Sequence, residues 1–218
     1  MKLAPPNLNI MMKGKRIILK PISENEINEK YRSWLNDPEI NEFLEAKEKE
    51  QTIEDMIDYV NALRTKSGCE IFGICTKGEH VGNIAITDFN PKRQGYAVYG
   101  IVVGDLKARL FGIGGDATVF IIDYIFKHPE IRRIQLRIAS DNVKAQKTIE
   151  YLGFVKEGVM RQNIVLPNGK VNDGYVYGFL REEWTANKHK VEHILKDKET
   201  LPLDSASHET WEEQIIRK

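Results

Sequence analysis

The chain has 218 residues, enough for one domain with a full core and a short extension. Its 32 basic and 32 acidic residues cancel, which argues against a dedicated nucleic-acid binder, because displacing counterions from phosphates needs a basic surface. No run approaches the ~20 apolar residues of a membrane helix, and the start, interrupted by Pro5-Pro6, lacks the apolar centre of a secretion signal, so a soluble, cytoplasmic protein without a membrane partner is expected.

Residues 1–12 read as an extended arm, and Arg16 to Pro21 as a short strand. Ser23-x-x-Glu26 has the form of a capping box and predicts a helix through Leu35. Asp37-Pro38 restarts the chain into a helical segment from Glu39 to Leu44. Thr52 then introduces an amphipathic helix to about Lys66, with Ile53, Met56, Ile57, Val60 and Leu63 at helical spacing. Glu70–Thr76 and His80–Thr87 are strands joined by a tight turn at Lys77-Gly78-Glu79. Asp88 to Gln94 is polar and reads as a loop, and Gly95 to Val103 as the next strand.

A helix over 113–127, a strand over 131–139 and a helix from Val143 to Leu152 follow. Ser140-Asp141-Asn142 supplies N-cap residues for the last, and Gly153 its C-terminal stop. Val155–Leu166 and Val171–Leu180 flank Pro167-Asn168-Gly169-Lys170, a strong hairpin signal. Glu182 to Lys198 is highly charged, with sparse Val191, Ile194 and Leu195, and reads as a solvated helix. Glu209 to Arg217 reads as a last short helix anchored by Trp211 and Ile215. The order predicts a mixed α/β sheet with helices on both faces.

Cys69 and Cys75, six residues apart on one strand, would stand about 20 Å apart, too far for a disulfide. They read as buried thiols of a reducing compartment. His189 and His193 are four apart on a charged helix, and no metal-ligand spacing stands out, so no metal is expected.

The most informative stretch is Val98 to Ala117. β-formers break at Gly104-Asp105, then come Arg109-Leu110-Phe111-Gly112-Ile113-Gly114-Gly115 and an apolar helix. Glycines in such a turn let a ligand approach main-chain N–H groups, and the helix N-terminus adds partial positive charge. The turn is therefore built to cradle phosphate. It lacks the Lys-Ser/Thr of a P-loop and the spacing of a dinucleotide fingerprint.

Arg109-x-x-Gly112-x-Gly114 resembles the pyrophosphate loop of the GNAT superfamily of acetyl-CoA-dependent N-acetyltransferases. Asn142-x-x-Ala145 with Leu152-Gly153-Phe154 resembles that superfamily's second signature. The resemblance spans roughly residues 12 to 184. Trp34-Leu35-Asn36-Asp37-Pro38-Glu39 narrows it to the branch of ribosomal-protein N-terminal and amino-sugar acetyltransferases. It implies an arm at 1–12, a catalytic domain at 13–184 of the acyl-CoA N-acyltransferase fold, and a charged helical extension at 185–218.

It also implies a site. Phe111, Gly112, Ile113, Gly114 and Gly115 would offer amides to the pyrophosphate of acetyl-CoA, with Arg109 at the loop's mouth. Ile101, Val102 and Val103 would run beside the pantetheine arm and supply an oxyanion donor, and Asn142 would cap its helix and bond the pantetheine. Many members place a tyrosine four residues before the glycine of Leu-Gly-Phe to protonate the leaving thiolate; here that position is Ile149. Tyr151 lies ~200° further round the helix and is no substitute. Ser140 or water would serve instead.

Asp88, Glu42, Glu45 and Tyr99 are candidate bases, and Tyr31, Trp34 and Phe43 are core or acceptor-site walls. The expected acceptor is a small-molecule amine, an amino sugar first; a protein N-terminus, or a non-catalytic acyl-CoA-binding module, stays open. A homodimer is compatible with the sequence.

Overall fold

The most apolar runs of the chain become the middle of one sheet. The computed structural model describes residues 2–44, 50–92 and 94–203. Its first half runs β1 (Ile10–Lys13), β2 (Ile18–Pro21), α1 (Glu29–Asn36), α2 (Pro38–Asn41), α3 (Ile53–Arg64), β3 (Glu70–Thr76), β4 (Glu79–Asn90) and β5 (Tyr96–Val103). Its second half runs α4 (Leu106–Leu110), α5 (Ile113–Ile125), β6 (Arg133–Ala139), α6 (Val143–Leu152), β7 (Val155–Val165), β8 (Val171–Leu180), α7 (Arg181–Asn187), α8 (Glu192–Leu195) and β9 (Glu199–Pro202).

The strands form a single mixed sheet in the order β7-β8-β6-β5-β4-β3-β2-β1-β9. Among the described strands only β5 and β6 pair in parallel, joined by the crossover through α5. The largest core cluster sets α5 against the sheet, with Ile84 and Ile86 of β4, Tyr99 of β5 and Phe120 and Ile121 of the helix. A second cluster packs Tyr31 and Trp34 of α1 and Met56, Val60 and Leu63 of α3 onto Ile71 and Ala85. α5 is apolar nearly all round and accordingly almost wholly buried.

Several elements differ from the sequence reading. Ser23 and Glu26 do make the predicted box, Glu26 accepting from the Ser23 N–H at 2.8 Å, but only a single 3₁₀ turn follows. The helix proper starts at Glu29, capped by Asn28, whose side chain accepts from the Tyr31 N–H at 3.1 Å. The extra cap wins because an asparagine oxygen satisfies an orphan amide that a continuing helix would have to re-form. Asp88 lies within β4, not in a loop: the strand continues to Asn90, pairing Asp88 with Val98. Lateral pairing overrides the low β-propensity of these polar residues.

The charged stretch after Arg181 is not one solvated helix. It breaks into α7, a 3₁₀ turn and α8, and buries Trp184 and Val191 in the main core. It then supplies β9, which pairs with β1 from Ile10↔Pro202 to Lys13↔Glu199. Part of the predicted arm is thus a strand of the sheet. The expected helix at Glu209–Arg217 lies outside the described residues.

Candidate active site

β5 and β6 start side by side and then part. Their ladder lasts two pairs, Tyr96↔Arg133 and Ala97↔Ile134. Beyond the fork β6 stays paired with β8 to its end, and β5 stays paired with β4 to Val103. In an antiparallel ladder alternate residues turn their N–H and C=O away from the partner. Between Val98 and Val103 those groups face a cleft instead of β6. A cleft with strand-edge amides along one wall suits an extended ligand carrying amides of its own. Ile101, Val102 and Val103, all half-buried, form the upper part of that wall.

The wall leads to the glycine turn. Gly112 holds φ 73°, in the left-handed region, and caps α5. The Phe111 N–H donates to the Lys107 carbonyl and the Gly115 N–H to the Gly112 carbonyl, each at 2.9 Å. Gly112 makes a longer 3.4 Å contact to the Arg109 carbonyl. Ile113 and Gly114, the first two helical residues, have no carbonyl a turn back within their own helix. Their amides are the ones best placed for an anion. A Cβ at Gly114 would stand 3.2 Å from Val103 Cγ2, so this glycine seats the helix on the end of β5. Cβ atoms at Gly112 and Gly115 would meet nothing within 4 Å. Arg109 reaches the Glu39 carbonyl at 3.4 Å, and Phe111 is 73% exposed.

On the other wall, Asn142 caps α6 by accepting from the Ala145 N–H at 3.1 Å. Ser140 Oγ donates to Asn172 Oδ1 at 2.8 Å, and the same oxygen takes the Asp141 N–H at 3.0 Å. Asn172, 4% exposed on β8, therefore fixes the β6–α6 corner. Ile149 is buried, whereas Tyr151 is 62% exposed.

Asp88 stands beside the fork. It is opposite Val98, just after a bulge between Ile86 and Asp88, and accepts from Tyr96 Oη at 2.6 Å. That hydrogen bond raises the Tyr96 phenol. Tyr99 is buried, and burial pushes its phenol well above the ordinary range. Tyr31 and Trp34 belong to the second core cluster. Phe43 packs instead against Ala139, Ile164 and Leu166, on the far side of the fork. The segment after α2 thus reaches across the cleft, with Glu42 exposed beside Phe43. Glu45 lies outside the described residues. Among the described residues no cluster of His, Cys, Asp or Glu is placed to hold a metal ion, and no helix is long and apolar enough to cross a membrane.

Residues 16–155 match the family described as the acetyltransferase (GNAT) domain. The chain belongs to the GNAT acetyltransferases. It is 25% identical over 175 residues to the uncharacterized N-acetyltransferase p20 of Bacillus licheniformis, covering 78% of this chain and 95% of that one. Its fold is similar to that of Mycobacterium smegmatis RimJ, solved in complex with CoA-disulfide, at TM-score 0.75, 17% identity, and 90% and 99% of the two chains covered. It is also similar to spermidine N-acetyltransferase from Vibrio cholerae, solved with CoA and spermine, at TM-score 0.69, 17% identity, and 78% and 98% coverage. The mixed sheet with its helices is thus the fold of a GNAT N-acetyltransferase.

Sequence reasoning located the glycine turn and the capping asparagine but passed over two residues. Asn172 carries no motif, and only its register opposite the Ser140 corner reveals it. Arg16 sits in a basic turn with nothing to set it apart, yet it reaches the glycine turn.

Proposed function

We propose that this GNAT enzyme uses acetyl-CoA and transfers the acetyl group directly to a primary amine of a small molecule, an amino sugar first. The observation that carries this is the parting of β5 from β6 after Ala97 and Ile134, which leaves a cleft leading straight to the α5 N-terminus. In this reading the Ile113 and Gly114 amides hold the diphosphate, with Gly112 and Gly115 keeping its approach open and Phe111 and Arg109 at the rim. Ile101, Val102 and Val103 pair with the pantetheine amides, and Asn142 faces it from α6.

The acetyl group then lies toward the fork. Asp88 stands there as the group that accepts the amine's proton. Ser140 stands across the cleft to protonate the departing thiolate. Its hydrogen bond to Asn172 aims the hydroxyl and must be exchanged for that transfer. Glu42 and Phe43 border the acceptor's entrance, a carboxylate and an apolar wall suited to an ammonium group. Holding both reactants in line supplies much of the rate.

A second reading, transfer to a protein N-terminus, is favoured by the likeness to RimJ. An acetyl-CoA turnover screen against amino sugars, nucleotide-linked amino sugars, polyamines and peptides with free N-termini separates the two. Turnover of sugar amines is expected. Turnover of peptides alone selects the second reading. Stoichiometric CoA binding without turnover on any amine makes the chain a binding module. With the acceptor in hand, Asp88→Asn should lower kcat by about a hundredfold, within the usual range for a lost acid–base group, and leave CoA affinity unchanged.

A further inference from the structure

The β1–β2 turn touches the glycine turn. Gly14 has no Cβ, and one built there would stand 2.4 Å from the Phe120 ring of α5. The turn therefore lies directly on α5, closed by Gly14 N–H to the Ile17 carbonyl at 3.0 Å. Thr76 Oγ1 holds the Arg16 carbonyl at 2.9 Å from β3. So anchored, the Arg16 guanidinium reaches two groups of the cofactor turn. It donates to the Phe111 carbonyl, and its Nε lies 3.3 Å from Asp116 Oδ2.

Asp116 is the anomaly. It is 5% exposed in the first turn of α5, where the helix presents its partial positive charge. Burial pushes its carboxyl up; Arg16 and then His193 of α8 pull it down. A buried carboxylate there opposes any anion bound at the same helix end.

We propose that Arg16, placed by its hydrogen bond to the Phe111 carbonyl, is a positioning residue of the acetyl-CoA site that neutralises Asp116, so that the α5 N-terminus is free to take the diphosphate. This rests on the cofactor reading above. Arg16 acts through the loop and not by touching the reacting atoms. Asp116 in turn holds Arg16 in place, so neither residue is explained without the other.

The test is calorimetric titration of the full chain with CoA, alongside thermal melts. The wild-type chain is expected to bind. Arg16→Gln should weaken CoA binding at least tenfold, because the Asp116 carboxylate loses its nearest cation. Asp116→Asn should bind as well as wild type or better. The decisive variant is Arg16→Gln/Asp116→Asn, which should recover to within about threefold of Asp116→Asn alone. A lost structural tie, or a lost direct contact to phosphate, would not be repaired by removing Asp116's charge. Unchanged affinity in Arg16→Gln, or no recovery in the double variant, overturns the proposal. Should Arg16→Gln not fold, Arg16→Lys keeps the charge and should stay within threefold of wild type; a tenfold loss there overturns it too. If wild type binds CoA while these variants misbehave, only this inference falls. If wild type does not bind, the cofactor reading falls with it.

Discussion

Gly112 and Gly114 are two residues apart and are glycines for different reasons. Gly112 is glycine because its φ of 73° is one that side chains rarely adopt, although space around it is open. Gly112→Ala should cost about 1 kcal/mol of stability, the usual penalty for a left-handed alanine. Gly114 is glycine because Val103 lies against it, so Gly114→Val should press on β5 and lower stability as well as cofactor affinity. Gly115 separates the two effects. A Cβ there meets nothing of the protein, so Gly115→Val should leave the melting temperature close to wild type and raise the CoA Kd about tenfold, ~1.4 kcal/mol. Unaltered affinity in calorimetry would mean that the diphosphate does not lie on this side of the turn. Tyr151, mostly exposed, should be replaceable by Phe without loss of turnover. A hundredfold fall in kcat would make it the acid after all.

The link from β5 to α4, just ahead of the glycine turn, packs on a ring from the α1 side of the sheet. A Cβ at Gly104, the link between β5 and α4, would stand 1.9 Å from Trp34 of α1. Trp34 is itself buried, with its ring 6.1 Å from that of Tyr31 and 5.2 Å from that of His80. The ring has nowhere to move, so Gly104→Ala should destabilise by ~1–3 kcal/mol through overpacking. Trp34→Ala should cost about 3–5 kcal/mol through the cavity left. Because the two residues share one contact, the double variant should be less destabilised than the sum of the singles, as denaturant unfolding can measure. Strict additivity would mean that the ring and the glycine are not in contact in solution.

The end of the described chain is tied to α5, the helix that follows the glycine turn. Lys198, just before β9, donates to Asp123 Oδ2 of α5 at 2.8 Å and to the Phe120 carbonyl at 3.0 Å. Lys188 adds a 2.7 Å contact to the other oxygen of Asp123. Burial pulls the Lys198 ammonium down to about 8 against the opposing pull of Asp123. The folded chain thus releases this proton more readily than the unfolded one, whose lysine titrates near 10.5. From pH 8 to about 10.5 the unfolded state holds more protons, so this group adds stability as pH rises and loses it as pH falls back through 8. Lys198→Met lacks the titration. The difference in unfolding free energy should therefore shift in wild type's favour across that window. A flat difference would show that the proton is not displaced by folding.

The sequence alone determined the strand–glycine turn–helix unit, the Asn142 cap and the Asn-Gly hairpin, because each is decided by residues within a turn or two of one another. A positive φ needs glycine, an orphan amide needs an oxygen, and a buried face needs periodic apolar residues. The tertiary structure decided the rest. Whether Asp88 is loop or strand depended on a partner, Val98, across the ladder. The cleft exists because β6 follows β8 away from β5, and neither strand's own residues record that choice. Arg16 acquires its meaning from a carbonyl and a carboxylate about a hundred residues further along, and β9 becomes a strand because β1 offers a free edge. Such contacts are set by packing across the sheet, which leaves no periodic trace in the segments it joins.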